Sequence, residues 1–196
     1  MPRPTLHTTD AILDSARELL LEQGAASATI EAIAGASGAP TGSIYHRFGS
    51  RDAMLARLWI RAVRRSQHEF LDASAAEDPR DAALGAGRSI IEFCRSNPAD
   101  ARLLVSFRRE DLMQAGDDDE LKAELEDLNR PVERAVVGLT KRLFGSASRR
   151  NLNRTLMATF DLPYGAARRY LIIGSPIPRR LEEDVAAAVE AVIDVE

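Results

Sequence analysis

The sequence predicts an all-α protein with a three-helix N-terminal head, containing a helix-turn-helix, and a helical bundle behind it. Apolar residues recur at helical spacing along nearly the whole chain, and no convincing run of alternating β-branched residues is present. Glycine and proline separate the periodic stretches. A hydrophobic content of 45% is ample for a packed core.

The first two helices are marked by capping residues. A periodic stretch begins after Thr8 or Thr9 and ends before Gly24, as expected of an amphipathic helix. Thr29 is a plausible N-cap for a short second helix. Gly38 follows that helix and, lacking a Cβ, tolerates the left-handed turn that separates two helices.

A very short third helix is predicted with Pro40 in its first turn, where the missing N–H of proline is harmless. The spacing is that of a helix-turn-helix, with Ala34 where the two helices touch and Ile44 fastening the third helix to the core. A helix this short is stable only if it packs against the rest of the protein. Its outward polar side chains would suit base edges and phosphates, but a small helical corner with ordinary surface polar groups fits the spacing as well.

Helices continue to the C-terminal end. Ser50 can cap a long helix that fades near residues 72–78, and Asn97-Pro98 separates two later helices. Pro131 is expected to kink a long periodic stretch, and Pro163 to break another. The conformation of residues 161–178 stays open.

Composition narrows the class of protein. Cys94 is the single cysteine, which excludes an intramolecular disulfide and a cysteine-based zinc cluster. Residues 1–10 contain no apolar signal-peptide core, and no apolar run approaches the roughly 20 residues that span a bilayer. We therefore expect a soluble cytoplasmic protein without a membrane partner, metal or cofactor.

Charge is segregated despite a net charge of −4. Residues 1–65 hold eight arginines against six acids, whereas residues 117–127 hold seven acids and one lysine. A basic end permits a polyanionic partner without establishing one. Both segments are also explained as ordinary solvated faces.

One segment carries a specific motif. Its residues are Thr29-Ile30, Ile33-Ala34, the run Gly42-Ser43-Ile44-Tyr45-His46-Arg47-Phe48, then Gly49-Ser50-Arg51-Asp52 and Leu55. With them, residues 8–58 resemble the DNA-binding head of the TetR family of bacterial transcriptional regulators. Two positions depart from the family pattern, since Pro40 stands where serine is common and Arg51 replaces the more usual lysine.

The resemblance implies a role for each matched position. Thr29 would bind a phosphate while capping its helix, Tyr45 would contact the DNA backbone or a thymine methyl, and Arg51 would clamp a phosphate. Three side chains of the third helix would face the major groove. The candidate DNA-binding residues are Thr29, Thr41, Gly42, Ser43, Tyr45, His46 and Arg51. Each of three residues also has a simpler explanation. Thr29 could serve only as a helix cap, Tyr45 only as a packing residue, and Arg51 only as a surface charge.

The resemblance also implies a helical domain for dimerisation and small-molecule sensing. We expect residues 1–50 to form the DNA-binding domain and residues 51–196 the sensing and dimerisation domain. Candidate contacts of an apolar or amphipathic effector are Trp59, Ser66, Phe70, Phe93 and Phe107. Candidate dimer contacts are Leu152, Leu156, Leu181, Val185, Val189 and Val192. Both sets are equally typical of ordinary core residues.

An enzyme is disfavoured. No histidine lies in a Glu-x-x-His pair, and the sequence lacks H-E-x-x-H, P-loop and G-x-S-x-G motifs. The prediction is a transcriptional regulator, most simply a repressor that binds a palindromic operator on double-stranded DNA as a homodimer and is released by a small effector. A helical adaptor without a specific operator and a regulator without an effector remain open.

Overall fold

The structure is a computed structural model that describes residues 7–108 and 118–194. Those residues form helices, turns and loops, with no strand among them, as the sequence predicts. The helices are α1 (Thr9–Gln23), α2 (Ile30–Ser37), α3 (Thr41–Phe48), α4 (Arg51–Ser74), α5 (Pro79–Ser96), α6 (Pro98–Ser106), α7 (Asp119–Asp127), α8 (Arg130–Phe144), α9 (Arg149–Leu156), α10 (Leu162–Ile173) and α11 (Leu181–Ile193). A 3-10 turn (Ala25–Ser27) precedes α2, and a π-helical turn (Met157–Asp161) joins α9 to α10.

The chain forms two compact units. The first comprises Met1–Ala62 and Arg102–Glu126, and the second comprises Val63–Ala101 and Asp127–Glu196. The division between them falls inside α4 rather than at its start. The predicted boundary between residues 50 and 51 concerns which residues form the DNA-binding domain, and it remains a prediction.

The predicted helix starts in the first unit are formed by side-chain caps. The hydroxyl oxygen of Thr8 accepts a hydrogen bond from the Ala11 N–H at 3.1 Å, so Thr8 rather than Thr9 is the cap of α1. Thr29 caps α2 and Ser50 caps the start of α4 in the same way, each at 3.1 Å. Each cap satisfies an amide that has no partner within its helix.

One apolar cluster holds the first unit together. Its largest members are fully buried and come from α1, α2, α3, α4 and α6: Ile12, Leu20, Ile33, Ile44, Leu55, Leu58 and Leu103. Ala34, Trp59, Leu104 and Phe107 pack against it while remaining partly exposed. The short α2 and α3 are thus stabilised by the longer helices around them, as the helix-turn-helix prediction requires.

In the second unit α5 packs against α10, α11 and the π-helical turn. The approach is close at Gly87, where a Cβ would lie 3.1 Å from Val189 Cγ2 and 3.5 Å from Pro163 Cγ. A second cluster combines Phe70, Ala86 and Val136, with Ile90, Val132 and Leu152 packed on it.

Two proline predictions need correction. Pro131 does not kink a helix, because α7 has already ended at Asp127 and Pro131 lies in the first turn of α8. Pro163 does not break the chain either, since residues 149–173 are continuously helical. The Leu162 N–H donates to the Met157 carbonyl five residues earlier, which widens the helix just where the proline ring would meet the preceding turn.

The open question about residues 161–178 also has an answer. Helix α10 runs to Ile173 and ends at Gly174, which takes the left-handed conformation with φ +68°. Residues 175–178 are non-helical, and a turn at 179–180 leads into α11. None of the described helices combines the length and apolar character that crossing a bilayer requires.

Candidate nucleic-acid interface

Helix α3 has one buried and one exposed face. Ile44 is fully buried and Phe48 is 5% exposed. Thr41, Gly42, Tyr45 and His46 are exposed, and Ser43 is half-buried. Since Thr41 and Tyr45, and likewise Gly42 and His46, are four residues apart, the exposed residues form one continuous surface. This surface brings together five of the seven predicted DNA-binding residues.

The turn before α3 is held by local hydrogen bonds. Gly38 takes the predicted left-handed conformation, with φ +70°. The Ser37 hydroxyl donates to the Ile33 carbonyl at 2.7 Å and accepts from the Ala39 N–H at 3.3 Å. Pro40 is the residue immediately before α3 rather than part of its first turn, and its carbonyl accepts the Ser43 N–H at 2.8 Å.

Thr29 is exposed at the start of α2. Its hydroxyl oxygen accepts the capping hydrogen bond from Ala32 N–H, and a hydroxyl that accepts in this way still carries a hydrogen to donate. The predicted combination of capping and phosphate binding is therefore chemically compatible. The phosphate contact itself stays a prediction.

Arg51 is engaged within the first unit. Its Nε–H donates to the Ala28 carbonyl at 2.7 Å, its Nη2 donates to the Ala25 carbonyl, and its Nη1 pairs with Asp52 at 3.2 Å. The side chain is only 33% exposed. All three guanidinium nitrogens thus have protein acceptors, which the phosphate-clamp prediction did not anticipate.

Arg47 belongs to the recognised motif, but the sequence assigns it no role. Its Nη1 donates to the His7 backbone carbonyl at 2.6 Å. The His7 ring covers the turn between α2 and α3, since a Cβ on Gly38 would lie 3.3 Å from His7 Cε1. A contact across 40 residues leaves no signal in a single sequence.

Arg61 of α4 pairs with two carboxylates of α1. Its Nη1 lies 2.8 Å from Asp10 Oδ1, and its Nη2 lies 2.6 Å from Asp14 Oδ1. Arg17 also pairs with Asp14, at 3.2 Å. Several arginines that make the N-terminal part basic therefore serve internal contacts, so the case for DNA binding depends on the exposed face of α3 more than on charge.

The predicted effector residues are distributed over both units. Trp59 and Phe107 pack on the cluster of the first unit, while Phe70 is a buried member of the second unit's cluster. Phe93 is buried in the second unit, and the Ser66 hydroxyl donates to the Val63 carbonyl at 2.7 Å. Their joint role in one ligand site stays a prediction.

The predicted dimer stripe on α11 requires correction. Leu181, Val185 and Val189 are buried within their own chain, where α11 packs against α5. An apolar stripe marks a buried face without saying what covers it. Val192 is half-buried, and Leu152 packs on the cluster around Phe70.

Leu156 differs, because it is exposed on the outside of α9. Four further large apolar residues of the helical run 149–173 are also exposed: Met157, Phe160, Ile172 and Ile173. The Tyr164 ring stacks on Phe160 at a ring-centroid distance of 5.8 Å. Of these exposed residues only Leu156 was a predicted dimer contact, although the apolar residues around Pro163 are visible in the sequence.

Comparison with known proteins identifies the head. Residues 12–58 match the sequence profile described as bacterial regulatory proteins of the tetR family. The HTH-type transcriptional regulator AlkX of Mycobacterium tuberculosis is 31% identical over 108 residues, covering 54% of this chain and 51% of AlkX. The match thus spans about half the length of that relative.

Solved structures extend the likeness of fold to nearly the whole chain. The fatty acid degradation regulator FadR of Bacillus halodurans superposes with a TM-score of 0.70 at 16% identity, covering 96% of this chain and 100% of FadR. FadR of Bacillus subtilis, crystallised with stearoyl-CoA, gives 0.67 at 14% identity, covering 95% and 96%. At such identities the likeness concerns the fold alone. The N-terminal residues 12–58 thus match the tetR family of bacterial regulatory proteins, and the chain shares the fold of these solved structures over nearly its whole length.

Proposed function

We propose that this protein is a DNA-binding transcriptional regulator, most simply a repressor acting in the cytoplasm, that reads a palindromic operator through the exposed face of α3. The observation that supports this most directly is the division of α3 into a buried anchor, Ile44 and Phe48, and an exposed polar surface. Because Ile44 and Phe48 anchor α3 to the core, its backbone does not have to become ordered on binding.

The chemistry of this surface suits a major groove. The hydroxyls of Thr41 and Ser43 both donate and accept hydrogen bonds, and His46 offers a ring nitrogen of either kind. Tyr45, 47% exposed, adds an aromatic ring that can pack on a thymine methyl and a hydroxyl for a phosphate. Thr29, at the start of α2, adds a hydroxyl and a helix N-terminus for a phosphate.

The test is binding to genomic fragments recovered by selection with the wild-type protein. Replacing Thr41, Ser43 and His46 together by alanine should abolish preference for those fragments, because base contacts specify sequence while phosphate contacts position the protein. Arg149→Ala, an exposed change at the start of α9, is the control and should preserve that preference. A triple variant that selects the same fragments would refute the assignment.

Homodimerisation forms the second part of the proposal. A palindrome needs two reading helices about one DNA turn apart, roughly 34 Å, which a two-fold dimer supplies. The exposed apolar residues Leu156, Met157 and Phe160 offer a surface for a second copy, because an apolar patch of this kind on a soluble domain usually marks an interaction site. The contact surface proposed here replaces the buried stripe of α11.

Phe160→Asp should therefore produce a monomer in sedimentation and weaken operator binding. Val137→Asp is the matched control, since Val137 is an apolar residue of similar exposure, 37% against 46% for Phe160, on a different helix, α8. A wild-type protein that sediments as a monomer at micromolar concentration, or a Phe160→Asp protein that remains a dimer, would contradict this part.

An apolar or amphipathic effector forms the third part. The apolar cluster of the second unit, built around Phe70 and Val136, consists of side chains of the kind that line sites for such molecules. FadR of Bacillus subtilis, which shares the fold, was crystallised with stearoyl-CoA, so acyl-CoA thioesters of graded chain length are suitable probes. An effector that prefers the DNA-incompetent state by 1–3 kcal/mol would lower DNA affinity about 5- to 150-fold.

The test measures operator release and thermal stabilisation with that series. Phe70→Ala should reduce both responses, and Trp59 emission provides a further readout because it is the single tryptophan. If no probe stabilises the protein or releases it from DNA, a regulator without an effector is favoured. A protein that shows no salt-dependent binding to any duplex would favour the helical adaptor.

A further inference from the structure

We propose that Arg51 and Arg47 are positioning residues that fix the helix-turn-helix at the two ends of α2 through backbone carbonyls, and that neither neutralises a DNA phosphate. The proposal builds on the proposed DNA-binding function. It assigns a different role to the position where the family resemblance implies a phosphate clamp.

Arg51 connects the start of α4 to the turn before α2. Its Nε and Nη2 donors reach the carbonyls of Ala28 and Ala25, which flank or begin the 3-10 turn Ala25–Ser27. Ala28 is fully buried and immediately precedes Thr29, the cap of α2. Arg51 therefore holds the residues that determine where α2 begins.

The chemistry of this contact favours arginine. A guanidinium presents donors in a planar fork, so it can bind two carbonyls in different directions and pair with Asp52 through the third nitrogen. The three donors of a lysine ammonium all radiate from one nitrogen, so lysine does not reproduce a planar fork that meets two carbonyls and a carboxylate through three separate nitrogens. The contact with the Ala25 and Ala28 carbonyls thus accounts for an arginine at a position where the resembled family more often has lysine.

Arg47 acts at the other end of α2. It lies in the last turn of α3 and donates to the His7 carbonyl at 2.6 Å. This bond places the His7 ring over Gly38, the left-handed residue between α2 and α3. His7 is thereby held against the turn that sets the angle between the two helices.

Salt dependence separates positioning from phosphate binding. Each phosphate neutralised by a protein cation contributes a slope of about −0.9 to the plot of log K against log salt concentration. A positioning arginine contributes nothing to that slope, although its loss lowers affinity because α3 is no longer held at the correct angle. The two roles therefore predict different results from the same titration.

The experiment uses the full chain and a labelled duplex of mixed sequence, with affinities measured by fluorescence anisotropy over a salt series. Arg51→Ala and Arg51→Lys should both lower affinity, about tenfold, with the slope unchanged. Arg47→Ala should also weaken binding without changing the slope. If Arg51→Lys instead restores wild-type affinity, or either alanine variant reduces the slope by about 0.9, the positioning role is overturned for that residue.

Hydrogen exchange of the free protein tests the positioning role of Arg51 separately from the proposed DNA-binding function. Hydrogen exchange of amides in residues 25–32 should accelerate in Arg51→Lys, a variant that keeps the charge, and remain unchanged in Arg149→Ala. Unchanged exchange in Arg51→Lys would refute the positioning role of Arg51, whether or not the protein binds DNA. If exchange accelerates in Arg51→Lys but the wild-type protein binds no duplex, the positioning role is supported and the proposed DNA-binding function is refuted.

Discussion

Replacing Ile44 by alanine should remove the anchor of α3. Ile44 is fully buried, so the change deletes three carbon groups, worth about 0.8 kcal/mol each in transfer free energy, or roughly 2.4 kcal/mol together. The cavity left behind raises the cost, and comparable core substitutions fall in the range of about 2–5 kcal/mol. We expect a loss of about 3–4 kcal/mol from the stability of the first unit.

The magnitude follows from the shape of the motif. An eight-residue helix is not stable by itself, and besides Ile44 only Phe48 buries a large side chain from α3. Hydrogen exchange of the α3 amides reports this loss directly and does not require the two units to unfold together. Urea denaturation gives the global value for comparison.

The adjacent Tyr45 provides a matched control. Because Tyr45 is exposed, Tyr45→Ala should change the free energy of unfolding by no more than about 0.5 kcal/mol while weakening DNA binding. Loss of less than about 1 kcal/mol in Ile44→Ala, with α3 exchange unchanged, would show that α3 is held by something other than this anchor.

Three further changes test the remaining packing. Thr29→Ala should destabilise the first unit by about 1 kcal/mol through loss of the α2 cap, and Thr29→Ser should not, as thermal denaturation would show. Gly87→Val should cost about 1–3 kcal/mol in urea denaturation because of the close approach of Val189, whereas Gly138→Ala, with open space around it, should be neutral or stabilising. Burial raises the pKa of the Cys94 thiol from 9.0 to about 11. Since the unfolded chain loses this proton first, stability should fall as pH rises from 9 towards 11 in the wild type and not in Cys94→Ala, and iodoacetamide should label the folded protein only slowly.

Features set by neighbours in the sequence were the ones that could be predicted. Thr29 and Ser50 cap their helices because a side-chain oxygen needs only the amide three residues ahead. Gly38 adopts its left-handed conformation for a similarly local reason. The buried and exposed faces of α3 also follow from spacing alone, so the candidate reading surface was accessible from the sequence.

Features that depend on contacts between distant residues could not be predicted from the sequence. The sequence rule for Pro163 predicts a break, but a π-helical turn preserves the helix, and α5 approaches it closely through Gly87. The stripe on α11 indicates a buried face, and only the fold shows that α5 covers it. Arg51 illustrates the same limit, because its carbonyl acceptors lie 23 and 26 residues away.

The central claim, that the exposed face of α3 reads DNA sequence, is tested most directly by parallel selection from a random duplex library with wild-type protein and His46→Ala. The wild type should recover a palindrome whose half-sites are about one DNA turn apart. His46→Ala should relax the preference at one symmetry-related pair of positions, by about 1–3 kcal/mol, and leave the others intact. Recovery of an identical site with identical preferences, or of no preferred sequence by the wild type, would contradict the claim.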